Sequence, residues 1–328
     1  TRVLLVHPPA PARLGAPLLG QQYVAAALLA RGCEVRVLDC AACRVAGDAA
    51  SVVAAIERFA PHVVGVGLVT RWVWHAYRLA EVLRGRARLL VAGGPHATVR
   101  PAEALAHGFD VAVQGEAEET IVRLVDHVEG RARLEEIPGI RWRDAGGTIR
   151  RGPARRFIAD LDALPLPQLA QDLYDPRWYA PPGTDAIPAG ILTSRGCPSH
   201  CTFCANHVTG RTFRYRSAQS VVTELKTYHR RTGATFVAFW DDALTADSGR
   251  LLALCAALER DLDFALAWSA ATRASMVTPE LLRAMRRAGL VAVNFGVESG
   301  DDGILRAIGK GVSTDQVVRA LEWAKAEG

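Results

Sequence analysis

Cys197-Pro-Ser-His-Cys201-Thr-Phe-Cys204 sets three thiols within eight residues, directly after the apolar run Gly190-Ile-Leu-Thr193. The spacing is C-x3-C-x2-C. Soft thiolates this dense on one loop suit a four-iron, four-sulfur cluster, with Cys197, Cys201 and Cys204 capping three irons and the fourth iron left open. No further cysteine follows at ferredoxin-like spacing, since Cys255 falls inside a predicted helix. The rival reading is zinc held by the three cysteines with His200 or His207, although zinc knuckles normally come as C-x2-C pairs.

Outward from this loop the chain alternates strand and helix. Strands are predicted at Gly190–Thr193, Phe236–Trp240, Phe264–Ser269 and Val291–Val297, and helices at Ala218–Arg231, Ser248–Arg260, Pro279–Ala288 and Thr314–Ala326. That makes four βα units, half of what closes an eight-unit barrel. Upstream, strands are predicted at Val3–Val6, Glu34–Leu38, Val63–Val66, Leu89–Ala92 and Val111–Gln114. The stretches Gln21–Ala30, Ala49–Phe59, Trp74–Leu83, Ala102–Ala106 and Glu118–Val128 have helical period. Five such repeats predict a parallel sheet covered on both faces, with ligands beyond the carboxyl ends of its strands. Those ends read His7-Pro8-Pro9, Gly67-Leu-Val-Thr70, Gly93-Gly94-Pro95-His96 and Gly115-Glu116. Glycine lets backbone approach a ligand closely, and tight turns need the same residue. Residues 137–156 form a predicted hairpin around Asp144-Ala-Gly-Gly147. Residues 157–189, with Leu164-Pro-Leu-Pro167 and Ala180-Pro-Pro-Gly183, read as a linker. The expected organisation is thus 1–136, 137–189 and 190–328.

Composition agrees with two globular domains. The 328 residues are 50% apolar and 22% charged, and no apolar run reaches the ~18 residues of a membrane span. Net charge is +5, with lysine only at 226, 310 and 325. The densest basic run, Arg150-Arg151-Gly-Pro-Ala-Arg155-Arg156, reads as solvated hairpin and linker, so neither nucleic acid nor membrane is an expected partner. Seven unevenly spaced cysteines argue against a secreted disulfide framework. The N-terminus reads as a buried strand, without signal-peptide regions. The expected location is cytoplasmic. The chain lacks an initiating Met and stops after its fourth βα unit, so the expectation is a trimmed chain or a half-barrel needing a partner.

A C-x3-C-x2-C loop with Phe203 before its last cysteine, following the first strand of a βα barrel, resembles the radical S-adenosylmethionine (SAM) enzymes. The resemblance implies a 4Fe-4S cluster whose open iron chelates SAM and whose electron cleaves the sulfonium to a 5′-deoxyadenosyl radical. It places Phe203 near the adenine. Asp241 or Asp242, in Phe239-Trp-Asp-Asp242, would receive the methionyl ammonium, and either could do so. Arg273 would take the carboxylate, and Glu298, in Asn294-Phe-Gly-Val-Glu298-Ser-Gly300, the ribose or ammonium. Leu305-Arg-Ala-Ile-Gly-Lys310-Gly also matches. The five-stranded domain upstream, with Gly93-Gly-Pro-His96-Ala-Thr98, Gly115-Glu-Ala-Glu-Glu119 and Val64-Gly-Val-Gly-Leu-Val-Thr70, narrows the resemblance to the cobalamin-binding members. The implied fold is α/β: an N-terminal Rossmann-like, five-stranded parallel cobalamin-binding domain, then a partial TIM-like radical SAM barrel.

Thr70, Gly93, Gly94, Pro95, His96, Gly115 and Glu116 are then the implied cobalamin contacts. Many cobalamin domains carry D-x-H-x2-G after the first strand, with a cobalt-ligating histidine. Here the loop from His7 to Gly15 lacks that motif, so no cobalt-ligating histidine is expected from it. His96 reads as a turn histidine bonded to backbone. The implied activity is methyl transfer to an unactivated carbon or a phosphinate phosphorus of a small-molecule substrate, with a flavodoxin- or ferredoxin-type reductant. Ring contraction or oxidative cyclisation is the alternative with the same cofactors. A non-catalytic cobalamin-binding module is the alternative in another class, and the intact cysteine triad argues against it. Cys33, Cys40 and Cys43 read as core or turn thiols, and Trp72, Trp74 and Tyr77 as packing.

Overall fold

The computed structural model describes residues 1–10, 15–42, 49–179, 189–206 and 208–328. Cys43, Ala180-Pro-Pro-Gly183 and His207, all used above, lie outside the described residues. The chain divides into two compact units: Thr1–Ile158 with Leu164–Ile187, and Ala159–Ala163 with Pro188–Gly328. Among the described residues, no helix is long and apolar enough to cross a membrane.

The first unit runs β1 (Arg2–His7), α1 (Leu19–Ala30), β2 (Glu34–Asp39), α2 (Ala49–Phe59), β3 (Val63–Gly67), α3 (Val73–Leu83) and β4 (Leu89–Gly93). It continues with α4 (Gly94–Val99), α5 (Pro101–Ala106), β5 (Val111–Val113), α6 (Glu118–Val128), β6 (Ile140–Arg143), β7 (Ile149–Arg151) and α7 (Pro176–Tyr179). The sheet order is β2-β1-β3-β4-β5-β6-β7. β1 to β5 are parallel, as expected. Buried on both faces, β1 sends Val3 and Leu5 into one core and Leu4 and Val6 into the other. Strand order switches between β1 and β3, the point where such sheets place a ligand crevice.

The predicted hairpin forms and extends this sheet rather than standing apart. β6 pairs antiparallel with β5 through Val111↔Trp142 and Val113↔Ile140, and β7 pairs with β6. Burial explains the attachment, because Ile140 and Trp142 join the core that holds Val111 and Val113. The hairpin and much of the expected linker therefore pack with the first unit. Tyr174 and Tyr179 are buried in the same core.

The second unit holds β8 (Gly190–Ile191), β9 (Ser194–Arg195), β10 (Arg214–Tyr215), α8 (Ala218–Thr232), β11 (Phe236–Phe239), α9 (Ser248–Asp261) and β12 (Ala267–Thr272). It ends with α10 (Pro279–Arg287), β13 (Leu290–Phe295), α11 (Asp302–Ala307) and α12 (Thr314–Ala326). The parallel strands follow the order β13-β12-β11-β8, the first four βα units of a barrel. Helix starts are fixed by side-chain caps: Ser217, Asp247, Thr278 and Asp301 each accept from a backbone N–H in the first turn, and Ser313 with Gln316 completes a capping box. One sheet face packs Ile191, Val237, Phe239 and Trp268 against Leu225, Leu251 and Met285 of the helices. The opposite face is open in β13, where Ala292 and Asn294, paired with Ser269 and Ala271, are exposed. β12 starts three residues later than expected. Phe264, which suggested the strand, instead stacks on His229 with ring centroids 3.8 Å apart.

Candidate functional site

β9 and β10 form a two-stranded antiparallel pair, and the cysteine loop is the connection between them. Gly196, just before Cys197, has φ +88°, and a Cβ there would lie 2.3 Å from the Thr212 carbonyl oxygen. Only glycine allows that close approach. The Cys197 N–H donates to the Gly210 carbonyl at 3.1 Å. Asn206 Nδ2 donates to the Cys197 and Ser199 carbonyls at 3.3 and 3.4 Å. A remote segment also fastens the loop, since the Thr202 N–H donates to the Ile308 carbonyl at 2.9 Å.

All three thiols are free. Cys197 is buried, Cys201 half-buried and Cys204 exposed. Among the described residues, no three or more His, Cys, Asp or Glu side chains converge as they would on one metal ion. Three free thiols on one loop are the donor set that a cluster takes. Although Cys204 is exposed, partial desolvation of its sulfur, then the charges of Cys201, Cys197 and Asp242, push its thiol above the ordinary value.

The other expected residues of this unit divide into two groups. Arg273 Nη1 donates to Cys201 Sγ at 3.0 Å. Glu298, at φ +69°, accepts from Lys310 Nζ at 2.8 Å, and that ammonium lies 5.7 Å from the Phe203 ring centroid. Phe203 itself is 55% exposed. These residues surround the loop. The carboxylates after β11 face its underpinnings instead. Asp241 is 6% exposed and accepts from Thr193 Oγ1 at 2.7 Å, from the Thr193 N–H at 3.2 Å and from Ser194 Oγ. Burial pushes its carboxyl up despite these bonds and the nearby Arg250. Asp242 accepts from the Gly196 N–H at 3.1 Å and from Thr209 Oγ1 at 2.6 Å, tying both ends of the loop. Lys310 and Asn206 carry contacts the sequence reading did not assign. For Lys310 the signal was the matching stretch Leu305–Gly311.

In the first unit the strand ends combine bare backbone with satisfied side chains. Neither Gly67 nor Gly93 has an atom within 4 Å of where a Cβ would stand. Gly94 has φ +90°, and a Cβ there would lie 3.0 Å from the Leu68 carbonyl oxygen. These glycines form a cradle that side chains would fill, which fits a large flat ligand such as a corrin.

His96 lies in α4 rather than in a turn, and its partners are side chains rather than backbone. Nδ1 is 3.0 Å from Thr70 Oγ1, and Nε2 is 3.0 Å from the Tyr77 hydroxyl, which donates to Glu103 Oε1 at 3.1 Å. The reason is Pro95: in a first helical turn proline costs no hydrogen bond, so Gly-Gly-Pro starts a helix here. Thr98 Oγ1 donates to the Gly94 carbonyl and accepts from the Gly115 N–H, each at 2.9 Å, which links two of the expected ends. Glu116 accepts from the Ile158 N–H at 2.8 Å and so holds the chain beyond β7.

Cys33, Cys40 and Cys255 are buried core thiols, and burial pushes Cys255 up to about 12. Tyr77 is fully buried and stacks on His107 at 3.8 Å, whereas Trp74 is 68% exposed.

Comparison with known proteins covers both units. Residues 191–328 match the Radical SAM superfamily, and residues 12–125 match the B12 binding domain. An uncharacterized methyltransferase of Pyrococcus horikoshii is 30% identical over 341 aligned positions, covering 100% of this chain and 72% of that protein. The cytidylyl-2-hydroxyethylphosphonate methyltransferase of Streptomyces wedmorensis is 28% identical, with 94% and 66% covered. The anaerobic magnesium-protoporphyrin IX monomethyl ester cyclase of Rubrivivax gelatinosus is 28% identical, with 83% and 50% covered. The cobalamin-dependent SAM radical enzyme OxsB, solved with aqua-cobalamin and SAM bound, shares the fold at TM-score 0.84 and 18% identity. The match covers 99% of this chain and 48% of that one.

Proposed function

The chain belongs to the cobalamin-binding radical SAM enzymes, and from that membership we propose that it is a methyltransferase acting on a small molecule. The observation that carries this reading is the pairing of two strand-end constructions in one chain. One is a loop of three free thiols in contact with a cation. The other is a glycine cradle with open space at Gly67 and Gly93.

In this proposal Cys197, Cys201 and Cys204 hold the 4Fe-4S cluster. Arg273, Glu298 and Phe203 line the SAM site, with Lys310 fixing Glu298 by a charge-assisted bond. Asp242 and Asp241 position that site: Asp242 braces the loop, and Asp241 ties Thr193 and Ser194, at the start of β9, to the end of β11. Gly67, Gly93, Gly94 and Pro95 floor the cobalamin site, with Gly115 tied in through Thr98. Thr70 presents its hydroxyl oxygen there, since its proton goes to His96 when Nε2 of that ring donates to Tyr77. Glu116 supports the cradle by holding Ile158. When bound, the cluster supplies the electron that cleaves the SAM sulfonium and the corrin carries the methyl group. The protein's part is to bind, orient and exclude water. A flavodoxin- or ferredoxin-type reductant and a reducing, cytoplasmic compartment follow from that chemistry.

The test is SAM turnover by anaerobically reconstituted protein under a low-potential reductant, with and without cobalamin. Methyl transfer predicts S-adenosylhomocysteine only with cobalamin, alongside 5′-deoxyadenosine. 5′-Deoxyadenosine at one rate in both samples, with no S-adenosylhomocysteine in either, overturns it. With a substrate in hand, a product lacking the mass of an added methyl would favour oxidative cyclisation.

A further inference from the structure

We propose that Arg273 couples the potential of the cluster to occupation of the SAM site. The inference rests on the radical SAM reading above. Arg273 directly follows β12, and its backbone is held on both sides. Thr272 is buried and bonded through its hydroxyl to Thr245. Beyond it, the Met276 N–H donates to the Arg273 carbonyl at 3.0 Å, and Ala274 is buried. The guanidinium is therefore delivered to one place.

Its edges do different things. Nη1 donates to Cys201 Sγ at 3.0 Å. Nε is buried without a hydrogen-bond partner. Beside Nη2 stands Gly311, at φ +63°, where even a Cβ would come only to 3.6 Å. No carboxylate among the described residues pairs with Arg273. A buried N–H left unpaired is destabilising and marks a place for an acceptor. The Nε–Nη2 edge has the fork geometry that takes a carboxylate bidentately.

One planar cation can thus serve a cluster sulfur with one nitrogen and the methionyl carboxylate with its other edge. Hydrogen bonds to the sulfurs set cluster potential, and a cationic donor favours the reduced, more negative cluster. A carboxylate on the opposite edge offsets that charge. SAM binding should then weaken the pull of Arg273 on the cluster.

The test is an anaerobic potentiometric titration of the reconstituted full chain, in which titanium(III) citrate donates one electron per cluster, read by electron paramagnetic resonance with and without SAM. Arg273→Gln should make reduction about tenfold less favourable, a shift of about 59 mV to more negative potential. That gap should narrow at saturating SAM. Arg273→Lys keeps the charge and should restore most of the potential, while SAM affinity stays low because the bidentate edge is lost. Iron content is measured on every sample. Wild type without about four irons per chain sinks the cluster reading itself. Full clusters whose potential does not differ between wild type and Arg273→Gln, or differs equally with and without SAM, overturn the role of Arg273 alone. Should Arg273→Gln lose its cluster, Arg273→Lys decides: wild-type SAM affinity would contradict the proposal.

Discussion

The carboxyl ends of the two parallel sheets are built in opposite ways. In the first unit the polar side chains close on one another: His96 with Thr70 and Tyr77, Thr98 with Gly94 and Gly115, Glu116 with the Ile158 N–H. What faces outward at Gly67 and Gly93 is bare backbone. In the second unit the backbone is tied down and the side chains carry the chemistry: three free thiols, an arginine on one of them, and a lysine–glutamate pair beside Phe203. On the proposed assignment, the difference follows from what each end would hold. A large flat ligand is gripped by shape over many weak contacts, so space and backbone donors matter. A small cluster is gripped by a few strong bonds, so donor identity and spacing matter.

Substitutions can break this contrast. The largest effect is expected from Cys201→Ala, which should abolish cluster absorption and 5′-deoxyadenosine formation. Circular dichroism and cobalamin binding should be unchanged, because the loop is held by backbone and Asn206 rather than by sulfur. The mirror experiment is Gly93→Leu. This glycine sits at φ −131° with nothing within 4 Å of a Cβ, so stability should change by no more than about 0.5 kcal/mol. Cobalamin content should fall steeply while iron stays full, as metal analysis would report. Equal loss of both metals would mean the two ends are not independent.

The side-chain-built end was the more legible in sequence. Three cysteines at fixed spacing point to a cluster without any tertiary context. Strands were legible where burial on both faces produced β-branched runs, as in Val63–Val66. Helix ends were legible where caps marked them, as at Thr314 behind Ser313 and Gln316. α4 was not, because Gly-Gly-Pro is equally a turn signal and only tertiary packing chooses. The partners of Arg273, 72 residues from Cys201, and of Glu298 could not be read, since no local pattern encodes a long-range pair. Nor could the attachment of the hairpin to β5, which depends on shared burial of Ile140 with Val113.

Smaller effects sharpen the comparison. Lys310→Met removes the Glu298 ion pair at 2.8 Å and the cation beside Phe203. Losing one such charge-assisted bond should raise KM for SAM by roughly tenfold, with cobalamin affinity unmoved, as isothermal titration would show.

The last prediction concerns the first unit's interior, where buried Asp39 accepts from His7 Nδ1 at 2.9 Å, from the Tyr179 hydroxyl at 2.5 Å and from the Ala42 N–H at 3.0 Å. Burial pushes its carboxyl up, but the bonds from His7, Tyr179 and Ala42 outweigh it and leave the group below its ordinary 3.8. Its ionised form therefore stabilises the fold fully above 3.8, and that contribution is lost as pH falls through the lower folded value. Asp39→Asn should cost about 1–3 kcal/mol in urea unfolding at pH 7, and the deficit should shrink below pH 3.8. A deficit independent of pH would assign the effect to packing.

The most direct test of the whole account is the cobalt and iron content of anaerobically purified, reconstituted protein, read beside its absorption spectrum. About one cobalt and four irons per chain, with both chromophores visible, is the predicted result. Four irons without cobalt, after purification with cobalamin supplied, would contradict the reading of the glycine cradle.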